Sequence, residues 1–600
     1  MNNAIKMRNS GTGHGVHVLH IRTIYAAALV MFCTVYMFGE NIPADPSNYK
    51  TKLGELTPGD RLELAAGDYP DGLSIANIHG NPAEWIIITG PLSGTPAAFL
   101  GDPGKNRNTI EITDSSYLAI ENLTIDGQDI PAVFGISAKG GSGNTTHHIR
   151  IENCTLVRHS GGGSSQQTAG ISTKCPTYAW IIRNNIIRDA GTGMYLGNSD
   201  GNEPFIGGMI SGNLVEDTLG YCIQIKHQNV RPSGIGLPDV PQKTVIRDNV
   251  FIKTDRPSPD GNRPNLLLGH FPVSGDGADD VYEVFGNFFF HNPRESLMQA
   301  EGRLIIHDNI FVDTAYTALL VQNHNDVVKT AYVYHNTVYS AAQGIRFGST
   351  ATVDHAVVGN AVFADTPISG SISNAAANVT DSAAHASGFM TNPNTVLGSM
   401  DFYPITGMLS GTSVDMSPFT GHTCYDRDFN GTVKDTFIFR GAYAGEDSNS
   451  GWALTNERKS GLINYTPAVY DSYESTAKGT AVDITLSAAD PDGDPVSCIV
   501  QDYPDHGILA DDDGDTHISY IPDVGYGGTD MFTFSAHDGS AGSGTAAVTI
   551  TVGSKDNNSG DSETAGCLPG TPDGSVPVAV FVLLCAAGAR VICAKDSKAV

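Results

Sequence analysis

The 600-residue sequence predicts an all-β protein, a long stack of repeated strands followed by a small β-sandwich, on three observations. First, an Asn recurs in one short apolar phrase: IENLTI (Asn122), IENCTL (Asn153), RNNIIR (Asn185), SGNLVE (Asn213), RDNVFI (Asn249), FGNFFF (Asn287), HDNIFV (Asn309), YHNTVY (Asn336) and VGNAVF (Asn360). The copies are 22 to 38 residues apart, within or near the range of solenoid repeats. Second, each Asn is followed by β-branched and aromatic residues, so the unit is a strand and not a helix. Third, residues 464–552 hold short alternating strands between Asp-Gly turns, the pattern of a sandwich. One Asn per unit predicts a ladder of amides, each bonded to the copies above and below. The variable spacing then belongs to loops on one side.

In chain order, residues 1–42 place Lys6, Arg8 and Arg22 ahead of an apolar run at 24–38, the length of a signal-peptide core. No clean cleavage site follows, so an N-terminal anchor is the other reading; both predict export. A formal net charge of −29 disfavours nucleic acid as a partner and is compatible with Ca²⁺. Length allows two or three domains. The nine Cys show no paired CxxC spacing and no disulfide framework; Cys33, Cys585 and Cys593 lie in apolar terminal segments and the rest read as core or free thiols.

Residues 43–445 are organised around the stretch 220–229. A second strand per unit aligns when Ile171, Met194, Ile223, Leu266, Leu297, Leu319 and Ile345 share a column, with Thr173, Leu196, Ile225, Leu268, Gln299, Val321 and Phe347 two residues on. Both columns point inward, because side chains alternate along a strand. The outward columns are then Ser172, Tyr195, Gln224, Leu267, Met298, Leu320, Arg346 and Lys174, Gly197, Lys226, Gly269, Ala300, Gln322, Gly348. The strand ends hold Cys175, Asn198, His227, His270, Glu301, Asn323 and Ser349. Coils about 4.8 Å apart would line up Asn198, His227, His270, Glu301 and Asn323 as a cleft floor for an extended polymer. The competing reading is that these residues cap strand ends and bond loop backbone.

The opening phrases LTPGDRLELAAGDYPDGLSI, EWIIITG and YLAIENLTIDG are short strands between Gly and Asp turns. They resemble the first coils of right-handed parallel β-helix proteins, the architecture of pectate lyases, chondroitinase B-like lyases and alginate lyases. In the chondroitinase B-like lyases a strand of the form apolar, polar, apolar, Arg, His carries an essential Arg; Ile223-Gln224-Ile225-Lys226-His227 is similar, with Lys in place of Arg. The family's Lys base stands one coil earlier, where this chain has Gly197, and Lys174 lies a further coil back. Such a lyase removes the proton beside a uronate carboxylate once Ca²⁺ or a cation has neutralised it. The resemblance implies Lys226 as base, its pKa depressed by Arg231, Lys174 or desolvation, or else His227 or His270. It implies Glu301 as a metal or sugar ligand, and Lys174, Tyr195, Asn198, Gln224, Arg231, Gln322, Asn323 and Arg346 as substrate contacts. The fold also hosts polygalacturonase-like enzymes and pectin esterases, and Gln224-Ile225-Lys226 resembles the basic tripeptide of the former. No Asp stands in the outward columns, and Asp279-Asp280 fall in the loop before 281–290, so paired-carboxylate hydrolysis is the third reading.

Residues 426–431 begin like a Ca²⁺ loop, but position twelve is Phe437 and not Glu. The segment resembles the closing part of β-helix proteins, ending FRGAYAG, and reads as a structural turn. Residues 446–463 read as a linker. The module 464–552 resembles the cadherin-like or Ig-like domains of bacterial surface proteins, with Asp490, Asp492, Asp494 and Asp538 either Ca²⁺ ligands or turn builders. Residues 553–574 read as a flexible tether. Residues 575–600, with Gly566-Cys567 ahead, Arg590 inside and Lys595 and Lys598 after, resemble a C-terminal sorting or anchor segment. The expectation is an exported bacterial protein, extracellular or at the outer surface and membrane-attached through its ends. It would bind a polysaccharide or cell-surface glycan and cleave an acidic, uronate-containing one by β-elimination. The alternative is a non-catalytic adhesin or glycan-binding protein, favoured by Gly197 and by the tether and sandwich. An enzyme should gather Lys226, His227, His270 and Glu301 in a groove; an adhesin should show aromatic platforms or a flat polar face.

Overall fold

The computed structural model describes residues 39–553, apart from 83, 105–106, 141–144, 166, 461–463, 491, 493, 495, 511–513 and 515. The segment 1–38, residues 554–574 of the tether and the C-terminal segment 575–600 lie outside the described residues. Among those described, no helix is long and apolar enough to cross a membrane, and Cys154, Cys175, Cys222, Cys424 and Cys498 are free thiols.

Three parallel sheets of 15, 12 and 11 strands wind into a right-handed β-helix running from Asn41–Ala44 to Val379–Asp381. One coil passes through Ser116–Glu121, Leu123–Asp126 and Phe134–Lys139, then enters the next at Thr146–Glu152. Each repeat therefore has three strands and not two, and the strand predicted as second is the third. The interior is a set of apolar columns. Ile120, Ile151, Ile182, Ile210, Ile246, Val284, Ile306, Val333 and Val357 stand in register, all fully buried. Phe251, Phe289 and Phe311 stack at 5.0 and 4.6 Å. Each such side chain stabilises the fold by about 1.5–3 kcal/mol.

The bend between the first two strands carries the ladder. Asn185, Asn213, Asn249, Asn287, Asn309, Asn336, Asn360 and Asn378 stack there, each Oδ1 after the first accepting the backbone and side-chain N–H of the preceding Asn at 2.9–3.1 Å. The second amide hydrogen goes to an inward residue's carbonyl, as Asn249 to Ile210 at 2.9 Å. Asn122 and Asn153 were expected in this row but sit one position earlier. That earlier position is a left-handed column: Asn122, Asn153, Asn184, Gly212, Asp248, Gly286, Asp308, His335, Gly359 and Ala377 have φ between 50° and 68°. Gly, Asn and Asp adopt this conformation at least cost. In the first coils Leu123 and Cys154 fill the ladder position, and the Cys154 N–H still donates to Asn185 Oδ1 at 2.9 Å.

Beyond Asp381 the chain folds back over this corner. Met390, Met400, Phe402 and Leu409 pack on the second sheet with Phe288 and Phe363, while Val414, Met416 and Phe419 pack on the first with Ile305 and Tyr334. Polar groups of the returning chain cap the left-handed column coil by coil. Lys459 donates to Asp248 Oδ1 at 2.6 Å and to the Gly286 carbonyl at 3.1 Å. Lys434 bonds Asp308 and, at 2.8 Å, His335 Nδ1. The Gly441 N–H donates to Gly359 O at 2.8 Å and Arg440 Nε to Ala377 O at 3.1 Å. The coils thus end earlier than residue 445, and the expected linker is docked: Trp452 and Leu454 join the cluster on the second sheet and Lys459 is buried. Most of its polar side chains still face solvent, while Lys459 and Arg458 bond carbonyls at the bend. Asp428 accepts the N–H groups of Asn430, Thr432 and Ala444 at 2.7–2.9 Å, so 426–431 is a structural turn. The C-terminal module packs a four-stranded and a three-stranded sheet around Tyr520, Phe532, Phe534, Val548 and Ile550.

Asn249→Ala removes a ladder rung and leaves buried N–H and C=O groups unpaired, so thermal or urea unfolding should show a loss of about 2–4 kcal/mol. Asn153→Ala, which changes only a left-handed residue, should cost about 1 kcal/mol. Lys434→Met strands the buried Asp308 carboxylate and should cost about 3–5 kcal/mol, most of it recovered in the double variant with Asp308→Asn.

Candidate functional site

The outer face of the third sheet carries the site. Its register runs Met194, Ile223, Leu266, Met298, Leu319, Ile345. Met298 stands where Leu297 was expected. Both are fully buried, so apolar character could not choose between them. The one-residue slip turns Met298 and Ala300 inward and Gln299 outward beside Leu267 and Leu320, and it moves Glu301 from the strand-end row into line with Gly269 and Gln322.

Lys174, Gly197 and Lys226 occupy one outward column on successive coils. Gly197 has φ 87°, and a Cβ there would come within 3.2 Å of both the Glu203 carbonyl oxygen and Lys226 Cβ. The position is therefore tightly packed, and a larger residue would press on Lys226. Lys174 Nζ is 3.4 Å and Lys226 Nζ 5.6 Å from the Tyr195 ring centroid, and the Tyr195 hydroxyl is 2.6 Å from Ser199 Oγ. Above the floor stand Tyr221 and Arg263, the guanidinium 5.8 Å from the Tyr221 ring. Buried Lys253 ties their loops together, donating to the carbonyls of Gly220 at 2.6 Å and Arg263 at 3.1 Å.

The result is a groove of two compartments, of about 500 and 560 Å³, that share Tyr221, Gln224 and Lys226. Burial, then the Lys226 ammonium, bring Lys174 down to about 8. Lys226 is lowered by burial and by Arg263. Burial raises Tyr195, which keeps its proton as a donor. His227 is lowered by burial and then by His270 and Lys226.

Of the sequence-predicted residues, the structure brings Tyr195, Gln224, Lys226, His227, Glu301 and Gln322 to the groove, with Lys174 against the Tyr195 ring. Others are placed differently. Arg231 is buried in an ion pair with Asp280 and donates to the carbonyls of Pro238 at 2.6 Å and Val240 at 3.0 Å. It fastens a loop, and Arg263 supplies the charge beside Lys226 instead. His270 is buried, its Nδ1 bonded to the Phe271 carbonyl at 2.9 Å and its ring stacked on His227 at 5.3 Å, so it supports the edge and does not line the groove. The Glu301 carboxylate accepts four backbone N–H groups, from His270, His324, Asn325 and Asp326, at 2.8–3.4 Å. That bonding fits a loop anchor and not a metal ligand. Asn198 accepts the Ser199 N–H at 2.9 Å and Asn323 the Val328 N–H at 3.0 Å, the capping alternative. Arg346 is exposed two coils beyond Gln299. Tyr221, Arg263, Gln299, His324 and Asn325 were missed. Three of these stand on loops that no strand column reaches, Tyr221 lies just before its strand, and Gln299 was lost to the register slip.

In the C-terminal module Asp490, Asp492 and Asp494 converge within 4.8 Å, while Asp538 is engaged in its own turn and with Asn464. Two arginines of the β-helix meet the cluster: Arg247 pairs with Asp492, and Arg183 with Asp494 Oδ1 at 2.6 Å and the Asp492 carbonyl at 3.2 Å. Burial pushes Asp490 up to about 6. A Ca²⁺ ion here would have to displace both guanidinium groups, and the donor set fits an ion-pair clamp between the domains.

Residues 464–551 match the family of bacterial Ig domains. No curated protein is detectably similar to the chain. Among solved structures it is similar to an alginate lyase from Paenibacillus sp. str. FPU-7, at 18% identity and a TM-score of 0.32 over 52% of this chain and 97% of that one. It is similar to the GH136 lacto-N-biosidase from Eubacterium ramulus, at 12% identity and 0.33 over 57% and 68%. It is also similar to the PL6 family alginate lyase AlyGC, at 14% identity and 0.32 over 73% and 62%.

Proposed function

We propose that the groove binds a uronate-containing polysaccharide and cleaves it by β-elimination. The observation that carries this is the convergence of Lys226, Arg263 and Tyr195 in one groove where, among the described lining residues, the single carboxylate, Glu301, is already occupied by backbone N–H groups. Arg263 neutralises the uronate carboxylate and so acidifies the adjacent C5 proton. Lys226, lowered by burial and by Arg263, takes that proton on Nζ. The C5–H electron pair forms the C4=C5 double bond, the C4–O bond breaks, and the departing oxygen takes the Tyr195 phenol proton. In this scheme the neutralising charge is Arg263, and no step is assigned to Ca²⁺. Paired-carboxylate hydrolysis is disfavoured, because no second carboxylate joins Glu301 among the described residues that line the groove.

Glycan binding without catalysis is the second reading, favoured by Gly197, which leaves the position one coil before Lys226 without a functional group. Export and surface attachment are proposed on the terminal sequences alone.

Lys226→Ala should reduce formation of unsaturated uronate, followed by its ultraviolet absorbance, by about 10²-fold or more while leaving saturable binding to the same polymer. Equal rates in variant and parent would remove Lys226 from the chemistry. In the parent, kcat/KM should rise with pH along a limb set by deprotonation of Lys226, below the ordinary Lys value of about 10.4. Arg263→Gln should shift that limb upward, because losing a neighbouring positive charge restabilises the ammonium.

A further inference from the structure

The two compartments that meet at Lys226 differ in charge. On the N-terminal side Arg263 stands with the Tyr195 and Tyr221 rings, and Lys174 lies against the Tyr195 ring with the Glu203 carboxylate near enough to act on it. On the C-terminal side the lining is Leu267, the amides of Gln299, Gln322 and Asn325, and the ring of His324. Apart from the shared Lys226, and the His227 ring at the edge, the charged groups there are carboxylates. Glu301 keeps its carboxylate among backbone N–H groups, and Gln299 Nε2 holds a second carboxylate, Glu295, at 3.1 Å. The next cation along that row, Arg346, lies two coils on, past Leu320, about 10 Å by coil spacing.

We infer that the groove is built for a heteropolysaccharide in which a uronate, held by Arg263 with Lys226 beside its C5 proton, is followed by an uncharged sugar seated against Leu267, Gln299 and Gln322. This rests on the reading of the groove as a uronate site and narrows it. A second uronate in the C-terminal compartment would set its carboxylate near Glu301 and Glu295 with, among the described lining residues, no Lys or Arg beyond the shared Lys226, whereas hydroxyl or N-acetyl groups find amide partners and an apolar floor. Like charges brought together in a partly desolvated site repel, so the selection acts against homopolyuronates as much as it favours mixed chains.

The test compares the full chain on hyaluronan, in which uronate alternates with an N-acetylated sugar, with polygalacturonate and polymannuronate, at equal uronate concentration and ionic strength, by calorimetric binding and by product absorbance. The expected result is affinity for the alternating polymer at least about tenfold higher. Gln322→Lys and, separately, Gln299→Lys place a cation in the C-terminal compartment and should move the preference toward the homopolymers by a similar factor. Equal or tighter binding of the homopolymers by the parent, no binding to any of the three, or an unchanged preference in both variants overturns the inference. Failure of the elimination chemistry is separable: selective binding with no unsaturated product leaves the selectivity standing and sinks the lyase, while equal cleavage of all three polymers does the reverse.

Discussion

The structure depends on one row of hydrogen bonds, the stacked amides of Asn185 to Asn378. A sharp bend between two strands needs a left-handed residue and leaves buried backbone groups behind it. One Asn per coil satisfies them while touching the next coil, so the same side chain closes the bend and locks the vertical register. With the register fixed, each inward column can be filled by Ile, Val or Phe. Every outward position on the third sheet then has a defined neighbour one coil away. The left-handed column beside the ladder is capped in turn by Lys434, Lys459 and Arg440 of the returning chain. Burying these cations is tolerable only because each meets a carboxylate, an imidazole or a free carbonyl.

The groove follows from that register. Lys174 and Lys226 share a column because their coils do, and the glycine between them lets the Lys226 side chain and the Glu203 backbone approach closely. Burial lowers the pKa of both ammonium groups, with Lys226 adding to the effect on Lys174 and Arg263 to that on Lys226. Lys253 holds both rim loops by their carbonyls, so Tyr221 and Arg263 face the floor from fixed positions. Elsewhere Arg183 and Arg247 join the acidic turn of the C-terminal module, which keeps that module attached to the side of the coils.

Much of this was legible in the sequence, and what was not had physical reasons. The Asn phrase gave the repeat, and the alternation around Ile223 and Ile225 placed Lys226 and Tyr195 outward. Paired letters defeated the finer register: in RNNIIR the first Asn, Asn184, is left-handed and the second is the rung, and IENCTL keeps only the first. Leu297 and Met298 are equally apolar, and choosing the wrong one displaced Gln299 and Glu301. Arg231 and Arg263 are both loop arginines; only the fold shows that Asp280 consumes the first. The docked segment 446–460 was unreadable because its partners, among them Asp248 and the carbonyls of Asn184 and Gly286, lie on coils far away in sequence.

The most direct test of the central claim is the proton NMR spectrum of the products formed by the full chain from uronate polymers. Elimination predicts a vinylic H4 resonance from an unsaturated uronate at each new non-reducing end, growing in step with new reducing ends. New reducing ends without that resonance would mean that the groove hydrolyses its substrate and would contradict the account.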